Sequence, residues 1–300
     1  MTMLTSHWSA NAVALAAVAV VAVVHLRGIA ALATDARQRG EGVPAWLGRE
    51  ALVFYAGLLV VLLALVSPIG YWSTRYVWVR SIQDLLLANV AAALIVLGAP
   101  WLALRRGLQA HPPAARPAPV SSSAGAQFYD RGWVRGPVLA VIAFNVVWVG
   151  WHVPVLYDAA LRHPAVYAAE VVCYLGLGVT LWLQFVGSRP LSPALTPLRR
   201  VMLVAGTITV GTLLGMVLVF GYGLDYPAYL GVAGQHLQSV VYDEQTGGAV
   251  LWVLMLPAYV TLGIALLVRW LKDDEAGALT AGFDRLLKPP KSAWPSRPGP

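Results

Sequence analysis

The chain has 300 residues, 58% of them hydrophobic and 12% charged, with a mean hydropathy of +0.67. Soluble domains carry about a quarter charged residues, so a long soluble domain is excluded and a membrane protein is indicated. The net charge of +7 points to membrane topology and not to nucleic acid, because most basic residues sit in short segments beside apolar runs.

A membrane span needs about 20 apolar residues. Apolar runs and their breakers predict seven helices, near 10–26, 50–67, 81–102, 137–153, 165–186, 200–221 and 249–270. The fold class is therefore all-α, a polytopic bundle of about seven transmembrane helices. The first run lacks a small-residue cleavage site before Arg27 and reads as a retained span, not a signal peptide. The transmembrane domain is expected over 1–275. Within it 107–127, rich in Pro, Ala and Ser, reads as a flexible cytoplasmic linker, and 276–300 as a Pro-rich, partly disordered cytoplasmic tail.

Basic residues are held on the cytoplasmic side. Of the 21 Lys and Arg, only Arg75, Arg80 and Arg162 fall on one side of the seven runs. The N-terminus is therefore expected outside and the C-terminus inside, as an odd number of spans requires.

With that orientation the polar residues gather at the outer end. His7 precedes the first span, Asp84 lies one turn into the third and His152 ends the fourth. Tyr157, Asp158 and His163 occupy the outer loop that follows, Glu170 lies about one turn into the fifth span, and Asp243 with Glu244 precedes the seventh. An acid within a span is costly and marks a candidate functional site. Asp84, His152, Tyr157, Asp158, Glu170 and Asp243 form the candidate outer-face cluster. His152, Glu170, His7 and His163 are its candidate metal ligands. Arg80 and Asp84, spaced i,i+4, share a helix face within ion-pair reach, which favours a structural pair over a catalytic acid. Asn89, Asn145 and Gln184 read as interhelical hydrogen-bonding groups, His25 and His236 as structural or solvated. The lone Cys173, read as a small buried hydrophobe, excludes a disulfide framework and a Cys-rich metal site.

All three lysines lie on the C-terminal side, so a retinal Schiff base has no mid-membrane lysine. Paired mid-span histidines for haem are missing. Nucleotide-loop, hydrolase-elbow and zinc-protease motifs are also missing. Transport of a metal ion or small solute lacks the expected ionisable groups near the midplane and stands as a less favoured alternative.

Three blocks carry a family resemblance. They are Leu85-Leu86-Leu87 through Leu97-Gly98-Ala99-Pro100, Trp151-His152-Val153-Pro154 with Leu156-Tyr157-Asp158, and Tyr242-Asp243-Glu244-Gln245-Thr246-Gly247-Gly248. Over about 45–275 the chain resembles the polytopic cytochrome c oxidase assembly factors of the CtaG type. The resemblance implies a bacterial inner-membrane protein, multi-pass, in haem-copper oxidase biogenesis, with oxidase subunits and the bilayer as partners and copper handled at the outer face. Where that family usually shows His-Met-x-x-His before the leucines, this chain has Arg80-Ser81-Ile82-Gln83-Asp84. Where it usually shows His-x-x-Glu-His, this chain has Tyr167-Ala168-Ala169-Glu170-Val171, so only Glu170 and the earlier His152 survive.

Two histidines at i,i+4 facing a second pair suit copper or zinc; Arg and Asp at that spacing put a fixed cation there instead. The expectation is a non-enzymatic protein supporting oxidase assembly, with a degenerate copper site and no tightly bound cofactor. The alternatives are a permanent accessory subunit of a terminal oxidase and the transporter.

Overall fold

The computed structural model describes residues 7–8, 11–109 and 136–287, with side chains as far as Asp273. Its described residues form helices joined by turns. Helix α1 covers Ala12–Gln38, α2 Ala45–Val66, α3 Pro68–Trp72 and α4 Val77–Leu85. A π-helical stretch, Leu86–Ala91, leads to α5, Ala92–Leu97, and then come α6, Trp101–Leu108, and α7, Pro137–Trp151. Helices α8, Pro154–Arg162, α9, Pro164–Phe185, α10, Pro197–Phe220, and α11, Leu237–Leu287, complete the order.

Among the described residues six helical segments are long and apolar enough to cross a membrane, and the pair α7 and α8, bent by 71°, makes a seventh when it is taken as one broken span. Proline sets that bend. A residue before proline is pushed out of the α region: Val153, before Pro154, sits at φ −66°, ψ 129°, and His163, before Pro164, at φ −124°, ψ 111°. Two X-Pro steps therefore detach α8 from its neighbours and lay a short helix across the end of the bundle. The fourth predicted span is thus a 15-residue helix with a bent continuation.

The central element is Val77–Leu97, in which 67% of the most apolar 18-residue window is buried, against 17% of that of α1. Ala88, Ala91 and Ala92 are completely buried, and their small side chains let α9 and α2 approach the π-helical stretch closely. That stretch carries Asn89, whose Oδ1 accepts from the Tyr259 hydroxyl of α11. Trp182 and Phe185 of α9 pack against the Tyr259 ring, with centroids 5.6 and 6.4 Å away.

Several boundaries differ from the sequence reading. Helix α1 runs on to Gln38, because a helix continues through the headgroup region after its apolar run has ended. The third span stops at Leu97, where Gly98 caps it and Ala99 turns with φ 42°. Helix α11 begins at Leu237 and continues to Leu287, so Asp243 and Glu244 lie inside the last helix and do not precede it. Its backbone is also helical across the expected domain limit at 275. Most of the linker expected at 107–127, and the tail from 288, lie outside the described residues.

Candidate functional site

The site is built where α4 begins. The α4 N-cap position, Tyr76, supplies no side-chain cap. Asp243 of α11 takes over that role: its carboxylate accepts from the Val77 amide at 2.8 Å and the Trp78 amide at 3.1 Å. One turn on, Arg80 is directed into the bundle, where it forms an ion pair with Glu170 of α9. Both side chains are 1% exposed.

Arg80 does not form an ion pair with Asp84. The i,i+4 spacing would allow that pair, but the Glu170 carboxylate across the interface with α9 takes the guanidinium. Arg80 also points toward the rings of Tyr157, with its guanidinium carbon 4.4 Å from the centroid, and Tyr167, at 5.8 Å. Asp84 is 2% exposed, and its Oδ2 has no hydrogen-bond partner among the described residues.

Tyr157 organises the other half. Its ring stacks on Tyr226 at 4.0 Å and lies 5.8 Å from His152 and 6.2 Å from Tyr229. The Tyr226 hydroxyl donates to the His152 carbonyl at 3.0 Å, and the Tyr229 hydroxyl to the Ser73 carbonyl at 2.9 Å. Glu244 holds the loop from below, accepting from the amides of Asp225 and Tyr226 at 3.1 and 2.7 Å. Burial pushes the phenols of Tyr226 and Tyr229 above their ordinary value, and for Tyr226 the acids Asp225 and Glu244 push the same way. Both phenols are therefore neutral hydrogen-bond donors.

His152 Nδ1 lies 2.8 Å from the Trp148 carbonyl. Facing a carbonyl, that nitrogen must donate, which leaves Nε2 as the acceptor. Nε2 is buried without a partner among the described residues, as are Glu170 Oε1 and the hydroxyls of Tyr157 and Tyr174.

The structure thus gathers Arg80, Asp84, His152, Tyr157 and Glu170 at one end of the bundle. Asp243 and Asp158 serve backbone instead, Asp158 accepting from the Ala228 amide at 3.4 Å with Arg162 at 3.5 Å. His7 is exposed and stacks on Tyr71 at 4.3 Å, and His163 is exposed between α8 and α9. Neither joins the buried group. His25, near the other end, meets the Tyr55 hydroxyl at 3.0 Å. Cys173 is half-buried, not fully buried, because its part of α9 turns toward the outside of the bundle.

Sequence reasoning placed none of Tyr167, Tyr174, Tyr226 and Tyr229 in the cluster, naming Tyr167 only as the residue at a family histidine position. The last two carried a signal: tyrosines three apart in a loop otherwise rich in Gly, Pro and Ala belong to a loop that buries something.

The family model for the cytochrome c oxidase caa3 assembly factor matches residues 23–273. The chain belongs to that family. The match begins within α1 and takes in the other candidate spans and the whole buried cluster. No curated relative and no solved structure matches the chain. The membrane-embedded helical bundle is that of an oxidase assembly factor.

Copper is the metal the family resemblance implies, and the donor set here does not fit it. One imidazole, His152, is present, and the nearby carboxylate of Glu170 is engaged by a guanidinium. Among the described residues no three His, Cys, Asp or Glu side chains are placed to hold a metal ion. For this caa3 assembly factor the cluster is better described as an ion pair lidded by aromatic rings.

Proposed function

We propose that this oxidase assembly factor acts as a non-catalytic scaffold in a bacterial inner membrane, contacting oxidase subunits while they mature and leaving copper delivery to other proteins. The cluster end faces outward and the C-terminus inward, on the distribution of basic residues. The observation that carries this reading is the buried Arg80–Glu170 pair. A fixed cation beside the retained carboxylate and imidazole opposes a second cation, and it ties α4 to α9 so that the end of the bundle presents one shape.

Quantitative mass spectrometry of a native pull-down in mild detergent, with the chain as bait, tests the scaffold role. Sub-stoichiometric recovery enriched in immature core subunit is the expected result. Mature oxidase at near one-to-one recovery would convert the reading to a resident accessory subunit, and recovery of no oxidase component would overturn it. Copper analysis of the purified chain tests the rest. The expectation is clearly less than one copper per chain after a mild chelator, and a one-to-one content lost in His152→Ala would sink that part.

A further inference from the structure

A second polar site lies at the other end of the bundle, between α1 and α6. Gly28 and Gly107 bring these helices into direct contact: a Cβ on Gly28 would lie 1.7 Å from the Ala103 carbonyl oxygen, and one on Gly107 1.9 Å from that of Val24. Beyond this contact the helices diverge around a cleft of about 340 Å³, lined by Arg27, Thr34, Asp35, Gln38, Arg106 and Gln109 among others. That volume is within the range of small-ligand sites, about 300–1,000 Å³.

We propose that this cleft binds the phosphate of an anionic phospholipid headgroup. Charge is the first argument. Arg106 is held in a fork by Asp35, with Nε and Nη2 each donating at 3.2 Å, and its Nη1 donates to Gln109 at 3.2 Å. That pair is neutral. Arg27 is exposed and has no carboxylate partner among the described residues, so the cleft keeps one net positive charge. A phosphodiester carries one negative charge. The planar guanidinium of Arg27 matches two of its oxygens, and Gln109, fixed through its carbonyl oxygen by Arg106, has its amide donors left for a third.

Depth is the second argument. Fifteen residues at about 1.5 Å each put Arg27 roughly 22 Å from the start of α1, and Gln38 roughly 39 Å from it. The hydrocarbon core is about 30 Å thick, so the cleft straddles the level of the phosphates. The outward side chains of α1 before it, Val20, Val23 and Leu26, are exposed and suit acyl chains. Basic pockets between membrane helices at this level are sites for anionic headgroups.

Native mass spectrometry of the full chain in mild detergent, titrated with phosphatidylglycerol or with phosphatidylcholine of the same acyl chains, tests this. Phosphatidylglycerol is expected to bind at least tenfold more tightly. Arg27→Gln should weaken it about tenfold, the size of one charge-assisted hydrogen bond. Arg39→Gln, outside the cleft, should change nothing. Arg27 has no carboxylate partner among the described residues, so its replacement is expected to leave the fold intact, and Asp35→Asn with Arg106→Gln supplies a second variant in which the forked pair is replaced by neutral amides. Inorganic phosphate at millimolar concentration is expected not to compete. Equal binding of the two lipids, unchanged binding by Arg27→Gln, or displacement by inorganic phosphate would each overturn the proposal.

Discussion

The two ends of this protein use the same chemical pair in opposite settings. At one end Arg80 and Glu170 meet with both side chains 1% exposed; at the other, Arg39 and Glu41 meet at 3.0 Å with side chains 47% and 60% exposed. Arg106 and Asp35, at 14% and 23%, lie between them. An exposed pair gains little over two solvated ions. A buried pair also adds little over an apolar isostere, but once it is present neither partner can be removed alone without leaving an uncompensated charge out of water. The difference lies in what the pair forbids: the buried one fixes α4 against α9, and the exposed one fixes nothing.

The comparison is broken most directly at the buried pair. Arg80→Met or Glu170→Leu alone is expected to destabilise the protein by about 3–5 kcal/mol, while Arg80→Met with Glu170→Leu recovers most of that. Thermal unfolding of the detergent-solubilised full chain measures all three. Simple additivity would mean that the two side chains do not act as a unit.

A smaller effect is expected at Asp243, which supplies the cap that Tyr76 does not. Asp243→Ala leaves the amides of Val77 and Trp78 without their acceptor and should cost about 1–2 kcal/mol. Hydrogen exchange should rise at those two amides first. Protection unchanged there would show that the start of α4 is held by packing alone.

These residues also show what the sequence made legible. Seven apolar runs and the clustering of His152, Tyr157, Asp84 and Glu170 at one end followed from hydropathy and helix spacing, because membrane burial acts on every residue of a span. Glu170 as the partner of Arg80 did not follow. It depends on side-chain direction and on a helix 90 residues away in the chain, and i,i+4 spacing reports proximity on a surface without its direction. The inclusion of Asp243 in α11 was hidden for a related reason. The first turns of that helix are polar, so hydropathy places its start late, whereas hydrogen bonds of Asp243, Glu244 and Gln245 to α4 and to the 221–226 loop satisfy those side chains inside the bundle. The bend between α7 and α8 was written in Val153-Pro154, but a window that averages hydropathy passes over it.

The smallest effect is expected where the comparison predicts least. Arg39→Ala, Glu41→Ala and the double substitution should each shift stability by under about 0.5 kcal/mol, with a coupling between them of about 0.2–1 kcal/mol that fades as salt rises to 1 M. The two residues are adjacent to the helix end, two positions apart, so the pair restrains no second element, and each side chain returns to water when its partner is removed. A coupling above about 2 kcal/mol that persisted in salt would mean that the 39–41 turn is covered in the membrane by another molecule, and the contrast between the two ends would then be one of partner and not of burial.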